Sequence, residues 1–199
     1  MAFSTHDQVP DSPTNTFATL NPLDAGSNLS FADGNCRITS TTNPNNNTKG
    51  SIAVTSGKYY FEYVITGGNA SSVVGIGGQS ASVSSNFSGD LYAYDSSGNK
   101  NINGTSSSYN QSFGAGDIIG VFFNLDSLEI TFFKNNSSQG VITGITANKT
   151  WTAFAHVNTT TGHVNFGQDP TFGGAKSPST TYTDANGIGS FYYQPPTDA

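Results

Sequence analysis

The sequence predicts an all-β protein, an antiparallel two-sheet β-sandwich with an extended N-terminal arm and a C-terminal tail. Three observations lead there. Short runs rich in Val, Ile, Thr, Tyr and Phe recur along the chain, each closed by Gly, Asn, Asp or Ser, and no stretch carries a helical period. Helix formers are scarce, and charged residues are only 10% of the 199. The 14 Phe and 9 Tyr demand a core, which separates this low-charge chain from a disordered one.

The elements follow in order. Residues 1–24 read as an arm, because Pro10, Pro13 and Pro22 exclude a helix or an inner strand. Phe17 and Leu20 are its candidates for docking on the body or on a neighbouring subunit. The sandwich is expected over residues 25–175. Leu29, Phe31, Arg37 and Ile38 flank the turn Asp33-Gly34-Asn35, a hairpin signal. The Asn-rich stretch from Thr41 to Gly50 reads as a loop. Gly57 to Ile65 is the clearest strand; its alternation puts Tyr59, Phe61, Tyr63 and Ile65 on one face and Tyr60, Glu62 and Val64 on the other. Val73 to Gly78 and Leu91 to Tyr94 are short strands. Ile118 to Asn124 and Leu128 to Lys134 make a hairpin, and Trp151 to Val157 with His163 to Phe166 suggest another. Residues 176–199 form a tail or edge strand, with Phe191, Tyr192 and Tyr193 as assembly candidates.

Charge narrows the partners. The net charge is −6 with only seven Lys and Arg, so neither nucleic acid nor an anionic membrane surface is expected as a partner. No apolar run approaches the ~18 residues of a membrane span. Cys36 is the sole cysteine, which rules out an intrachain disulfide. Residues 1–11 lack the basic and apolar regions of a secretory signal, so synthesis in a cytosol is expected.

In this order and at these spacings, the strands resemble the SPRY domain, a concanavalin-like sandwich. The resemblance rests on GKYYFEYVI (57–65), VVGIGG (73–78), LYAY (91–94), FGAGDIIGVFFNLDSLEITFFKNN (113–136), the segment 140–145 and VNFGQ (164–168). The flanks, DSPTNTFATLNPL (11–23) and YTDANGIGSFYYQPP (182–196), are similar to segments bracketing SPRY-like domains in bacteriophage virion proteins. That similarity implies a virion component released by lysis, with other virion proteins or copies of itself as partners.

No catalytic constellation emerges. There is no Gly-x-Ser-x-Gly elbow, and Cys36 lies near a turn with no histidine close in sequence. Asp126 and Glu129 do not share a strand face, as a glycosidase pair would need. His156 and His163 flank the last expected hairpin and could meet across it, but a third metal ligand is missing. Asp90, Asp95 and Asn99, and the pair Asp184 with Asn186, read as turn residues ahead of calcium ligands. No metal and no cofactor are expected.

What remains is binding. In SPRY-like domains, the resemblance implies, the partner sits on loops joining the central strands. Here that is the stretch from Tyr92 to Tyr109, with Tyr92, Tyr94, Asp95, Asn99, Lys100, Asn101, Asn103 and Tyr109 as candidates, and Trp151 beside them. Aromatic faces with fixed amides and carboxylates suit a host-surface glycan or protein. Tyr92, Tyr94 and Trp151 read equally as core residues, and that alternative stays open. Two further readings stand beside host recognition: a decoration or connector protein assembling through arm and tail, and an intracellular peptide-binding SPRY adaptor.

Overall fold

The computed structural model describes residues 16–42, 46–68, 71–84, 87–197 and 199. Fourteen strands form two antiparallel sheets of seven. The first contains β1 (Leu20–Ala25), β4 (Asn47–Val54), β13 (Trp151–Val157), β6 (Ser72–Gly78), β7 (Leu91–Asp95), β8 (Asn99–Ile102) and β9 (Thr105–Ser108), in that spatial order. The second runs β12 (Ser137–Thr143), β11 (Glu129–Lys134), β10 (Ile118–Asn124), β5 (Lys58–Gly68), β14 (Thr160–Asn165), β3 (Arg37–Thr39) and β2 (Ser30–Ala32). The all-β sandwich expected from the sequence is the architecture found.

The core fills the space between the sheets. Phe61, Tyr63 and Ile65 from β5 join Val121, Phe123, Ile130 and Phe132 of the second sheet. They share one cluster with Val74, Ile76, Tyr92, Tyr94, Trp151 and Ala155 of the first. The period-2 alternation read along β5 produces this division. Its other face is buried too: Val64 packs with Ile118 and Phe172, while Glu62 has no exposed surface.

That second face is covered by the C-terminal segment, which closes on Glu62. The Glu62 carboxylate accepts the Tyr193 amide (2.8 Å) and the Tyr60 hydroxyl (3.3 Å) on Oε1. On Oε2 it accepts the Tyr192 amide (2.9 Å) and Asn165 Nδ2 (3.1 Å). Burial pushes the Glu62 carboxyl above its usual range, and these four donors pull it partly back. Gly120 sits opposite Glu62 in the β10–β5 register; a Cβ there would stand 2.7 Å from the Tyr60 hydroxyl, so only glycine leaves room for that ring.

Several sequence expectations change. The last residues of the predicted arm are strand β1, paired with β4, and Leu20 is fully buried; residues 1–15 lie outside the described residues. The stretch read as a loop from Thr41 to Gly50 contains the start of β4, disguised by polar residues that are buried with partners. Asn47 Nδ2 donates to the Ser82 carbonyl (2.7 Å), and Lys49 Nζ donates to the Gln79 carbonyl (3.2 Å) and pairs with Asp24 (3.3 Å). The stretch from Tyr92 to Tyr109 is a three-stranded meander, β7 to β9. β13 and β14 do not form a hairpin: β13 pairs with β4 and β6, β14 with β5 and β3, in opposite sheets. Alternation reports two strands and a polar link, which a link between sheets satisfies as well as a hairpin does.

His156 and His163 therefore stand apart. His163 lies 3.9 Å from Asp33. His156 bonds Asn47 through Nδ1 (2.8 Å) and rests edge-on to Phe87, and burial lowers its pKa to about 4. A depressed imidazole stays neutral in the fold but charges in the unfolded chain near pH 6.5, so stability is full above that value and falls as pH drops toward 4. The expected loss is up to about 3 kcal/mol across that window. Urea unfolding midpoints against pH should show this slope in the wild type and a flatter one in His156→Gln.

Glu62→Gln should cost about 3 kcal/mol near neutral pH, because whichever way the amide turns, its NH2 meets a backbone amide that can only donate, Tyr193 on one side or Tyr192 on the other. Chemical unfolding of the two proteins side by side checks it.

Candidate functional site

The inner-facing residues at the start of β5 form one wall of a cleft whose other wall comes from β4 and β13 of the opposite sheet. Tyr59 is 39% exposed and stacks on Phe123, its register partner on β10, with ring centroids 5.3 Å apart. Deeper in, Phe61 leans on Phe166 at 5.4 Å. From the first sheet come Ile52, 41% exposed, and Val54, which faces Trp151 across the β4–β13 pairing. Trp151 itself is 1% exposed and meets the edge of Tyr92 at 5.3 Å. The volume enclosed is about 380 Å³.

Two segments roof the cleft: residues 16–18, and the strap from Asp184 to Phe191. The strap is a self-closed loop. Tyr182 and Phe191 bridge it at its base, and the Asp184 carboxylate accepts the amides of Asn186 (2.9 Å) and Ile188 (2.8 Å) at its tip. Ser190 ties it to the body, its amide donating to the Gly167 carbonyl (2.7 Å) and its carbonyl accepting Asn165 Nδ2 (2.9 Å). Lys58 and Asp184 add one charge of each sign to an otherwise largely apolar lining.

The residues singled out in the sequence meet other fates. Tyr92 (3% exposed) and Tyr94 (0%) are core residues, so their rings offer no open face in this structure, whereas Trp151, buried in the core as well, also lines the cleft. Tyr94 lies among Tyr109, Phe113 and Phe132 and donates its hydroxyl to the Gln111 carbonyl; Tyr92 donates to the Gly144 carbonyl at 2.8 Å. Tyr109 is half-buried, donates to the Gly140 carbonyl and lies 6.0 Å beneath Lys100 Nζ. Burial raises the Tyr94 and Tyr109 hydroxyls to about 12. Asp95 closes its own turn on the amides of Ser97 (2.9 Å) and Asn99 (3.0 Å), and Asn99 pairs with Ser108. Asn101 accepts the Gly104 amide (3.1 Å) and Asn103, at φ 51°, the Leu91 amide (3.0 Å). Asp95 and Asn103 mark opposite ends of the meander, so these residues do not converge on one site.

The assembly candidates serve this chain's own fold. Leu20 is core; Phe17 lines the cleft beside Gly167; Phe191 is 4% exposed and meets Tyr60 edge-on at 5.3 Å. Tyr192 and Tyr193 give their amides to Glu62, and their rings pack beside Phe172. Among the described residues, no three His, Cys, Asp or Glu side chains are grouped to hold a metal. Ile52, Glu62 and Ile188 escaped sequence reasoning as functional elements, while Phe191 of the strap was read as an assembly residue. The usable signal was Glu62, a lone carboxylate in a strand apolar on both faces.

The described residues thus form a two-sheet sandwich with a largely apolar cleft between its walls. Residues 58–169, more than half of the chain, match the SPRY domain family, and the chain belongs to it. SPRY domains are generally protein-interaction modules. Among solved structures, the chain is similar to the SPRY domain of human HERC1, with TM-score 0.61 and 19% identity over 73% of this chain and 96% of that one. Stonustoxin gives TM-score 0.59 and 17% identity over 75% of this chain but 26% of the toxin. The TRIM65 PSpry domain gives 0.58 and 12% over 75% and 90%. No curated protein matches the sequence.

Tyr94→Ala should destabilise the fold by about 3–5 kcal/mol, the cost of emptying a buried aromatic site. A surface tyrosine would cost a fraction of that, so a thermal melt of the variant separates core from ligand platform.

Proposed function

We propose that this chain is a non-enzymatic recognition module that binds a protein partner by taking an apolar side chain into the cleft beneath the strap. One observation carries the reading. Ile52 and Tyr59, two of the few large apolar side chains exposed among the described residues, stand together at the mouth of a cavity whose volume falls in the range of ligand sites. Water contact with such groups is unfavourable, and an inserted aromatic or aliphatic anchor removes it. A protein partner is favoured over a glycan because two rings considered as sugar platforms, Tyr92 and Tyr94, lie in the core and outside the cleft lining. We place the module in a bacteriophage particle, recognising another virion protein or a host-surface protein; the support is the similarity of residues 11–23 and 182–196 to segments flanking SPRY-like domains in virion proteins.

Selection from a random peptide library on the immobilised full chain tests the cleft. Peptides sharing an aromatic or aliphatic anchor should emerge, and their affinity should fall at least ten-fold on Ile52→Asp or Tyr59→Ser, as for a buried interface anchor. Selected peptides that bind both variants as well as the wild type would contradict it.

A further inference from the structure

The roof of the cleft and the group that fastens it lie on different faces of the second sheet. Asp184, Asn186, Ile188, Gly189 and Phe191 of the strap look onto the cleft. The residues that follow, Tyr192 and Tyr193, turn to the outer face and give both amides to Glu62. Asn165 bonds Glu62 (3.1 Å) and the Ser190 carbonyl (2.9 Å) through one nitrogen, so Glu62 and Asn165 act as one clasp on residues 190, 192 and 193. Ahead of the strap, residues 177–181 make no backbone hydrogen bond among the described residues, and four of the five are exposed. The tip holds its own shape through Asp184. A self-closed loop on an unbonded leader, fastened to the body at its C-terminal end by the clasp and by the Ser190 amide on the Gly167 carbonyl, and bonded near its tip, among the described residues, only to Ala199, is built to move as a unit.

We propose that the C-terminal strap is a lid and that its seating on Glu62 sets how open the cleft is, an inference that rests on the cleft being the binding site. Glu62 is a positioning residue here: it touches no occupant of the cleft and acts through Tyr192 and Tyr193. With the clasp closed, Ile188 and Phe191 line, together with Ile52 and Tyr59, the space an anchor side chain would fill. With it released, the roof lifts and the deep wall formed by Trp151 meets solvent. An occupant touching both roof and floor then favours the seated strap, and the clasp in turn favours the occupant.

Trp151 is the chain's only tryptophan and lines the cleft, so its fluorescence reports the lid without any ligand. The test is acrylamide quenching of the full chain, with amide exchange followed by NMR. Glu62→Gln should speed exchange of the Tyr192 and Tyr193 amides about ten-fold or more, raise Trp151 quenching about two-fold, and leave β6 and β13 protected. Asp184→Ala, which undoes the tip and spares the clasp, should raise quenching while those two amides stay protected. Freed amides with wild-type quenching would overturn the lid, and unchanged amides would overturn the clasp. If Glu62→Gln also strips protection from β6 and β13, Asp184→Ala decides: wild-type quenching there overturns the proposal. Peptide selection on the wild type judges the binding reading separately, since neither readout here involves a partner.

Discussion

A carboxylate with no exposed surface, satisfied by four donors, sits at the middle of the second sheet, and much of the molecule is arranged to keep it so. Removing a charged carboxylate from water costs several kcal/mol unless its lone pairs are filled. Two of the donors for Glu62 are consecutive backbone amides, Tyr192 and Tyr193, from a segment over a hundred residues away in sequence. β5 can therefore be buried on both faces only if the chain returns across it. The return covers Val64 and Ile118 with Phe172 and the two tyrosines, and carries the preceding residues over the cleft.

The same strand shapes the cleft. Phe61, Tyr63 and Ile65 point into the core, while Tyr59, one step earlier on the same face, lines the cleft and is 39% exposed. Its ring is left half in water, stacked on Phe123 on one side and open on the other. Core and cleft are thus two parts of one β5 face, filled at Phe61, Tyr63 and Ile65 and open at Tyr59. The meander of β7, β8 and β9 behaves differently: its Asx residues are spent on their own turns, and its tyrosines are inside.

The architecture was largely legible in the sequence because the signals are local: alternation in β5, and short apolar runs closed by turn residues in β6, β7, β10 and β11. Non-local pairing was less legible. Asn47, Thr48 and Lys49 look like a loop until their neighbours Ser82, Gln79 and Asp24 are known, and the link at Asn158 and Thr159 looks like a hairpin turn although its strands lie in opposite sheets. The site was harder still. Tyr92 and Tyr94 resemble exposed platforms only while β8 and β9 are taken for a loop. Ile52 and the strap gain meaning only when residues from four strands and both ends of the described chain come together. Glu62 was the one residue whose role had a local trace.

A recognition cleft of this kind must accept an apolar ring. The most direct measurement is a crystal of the full chain soaked in phenol. Ring density between Tyr59, Ile52 and Ile188 is the predicted result. Phenol bound instead on the β7–β9 meander, with the cleft filled by ordered water, would contradict it.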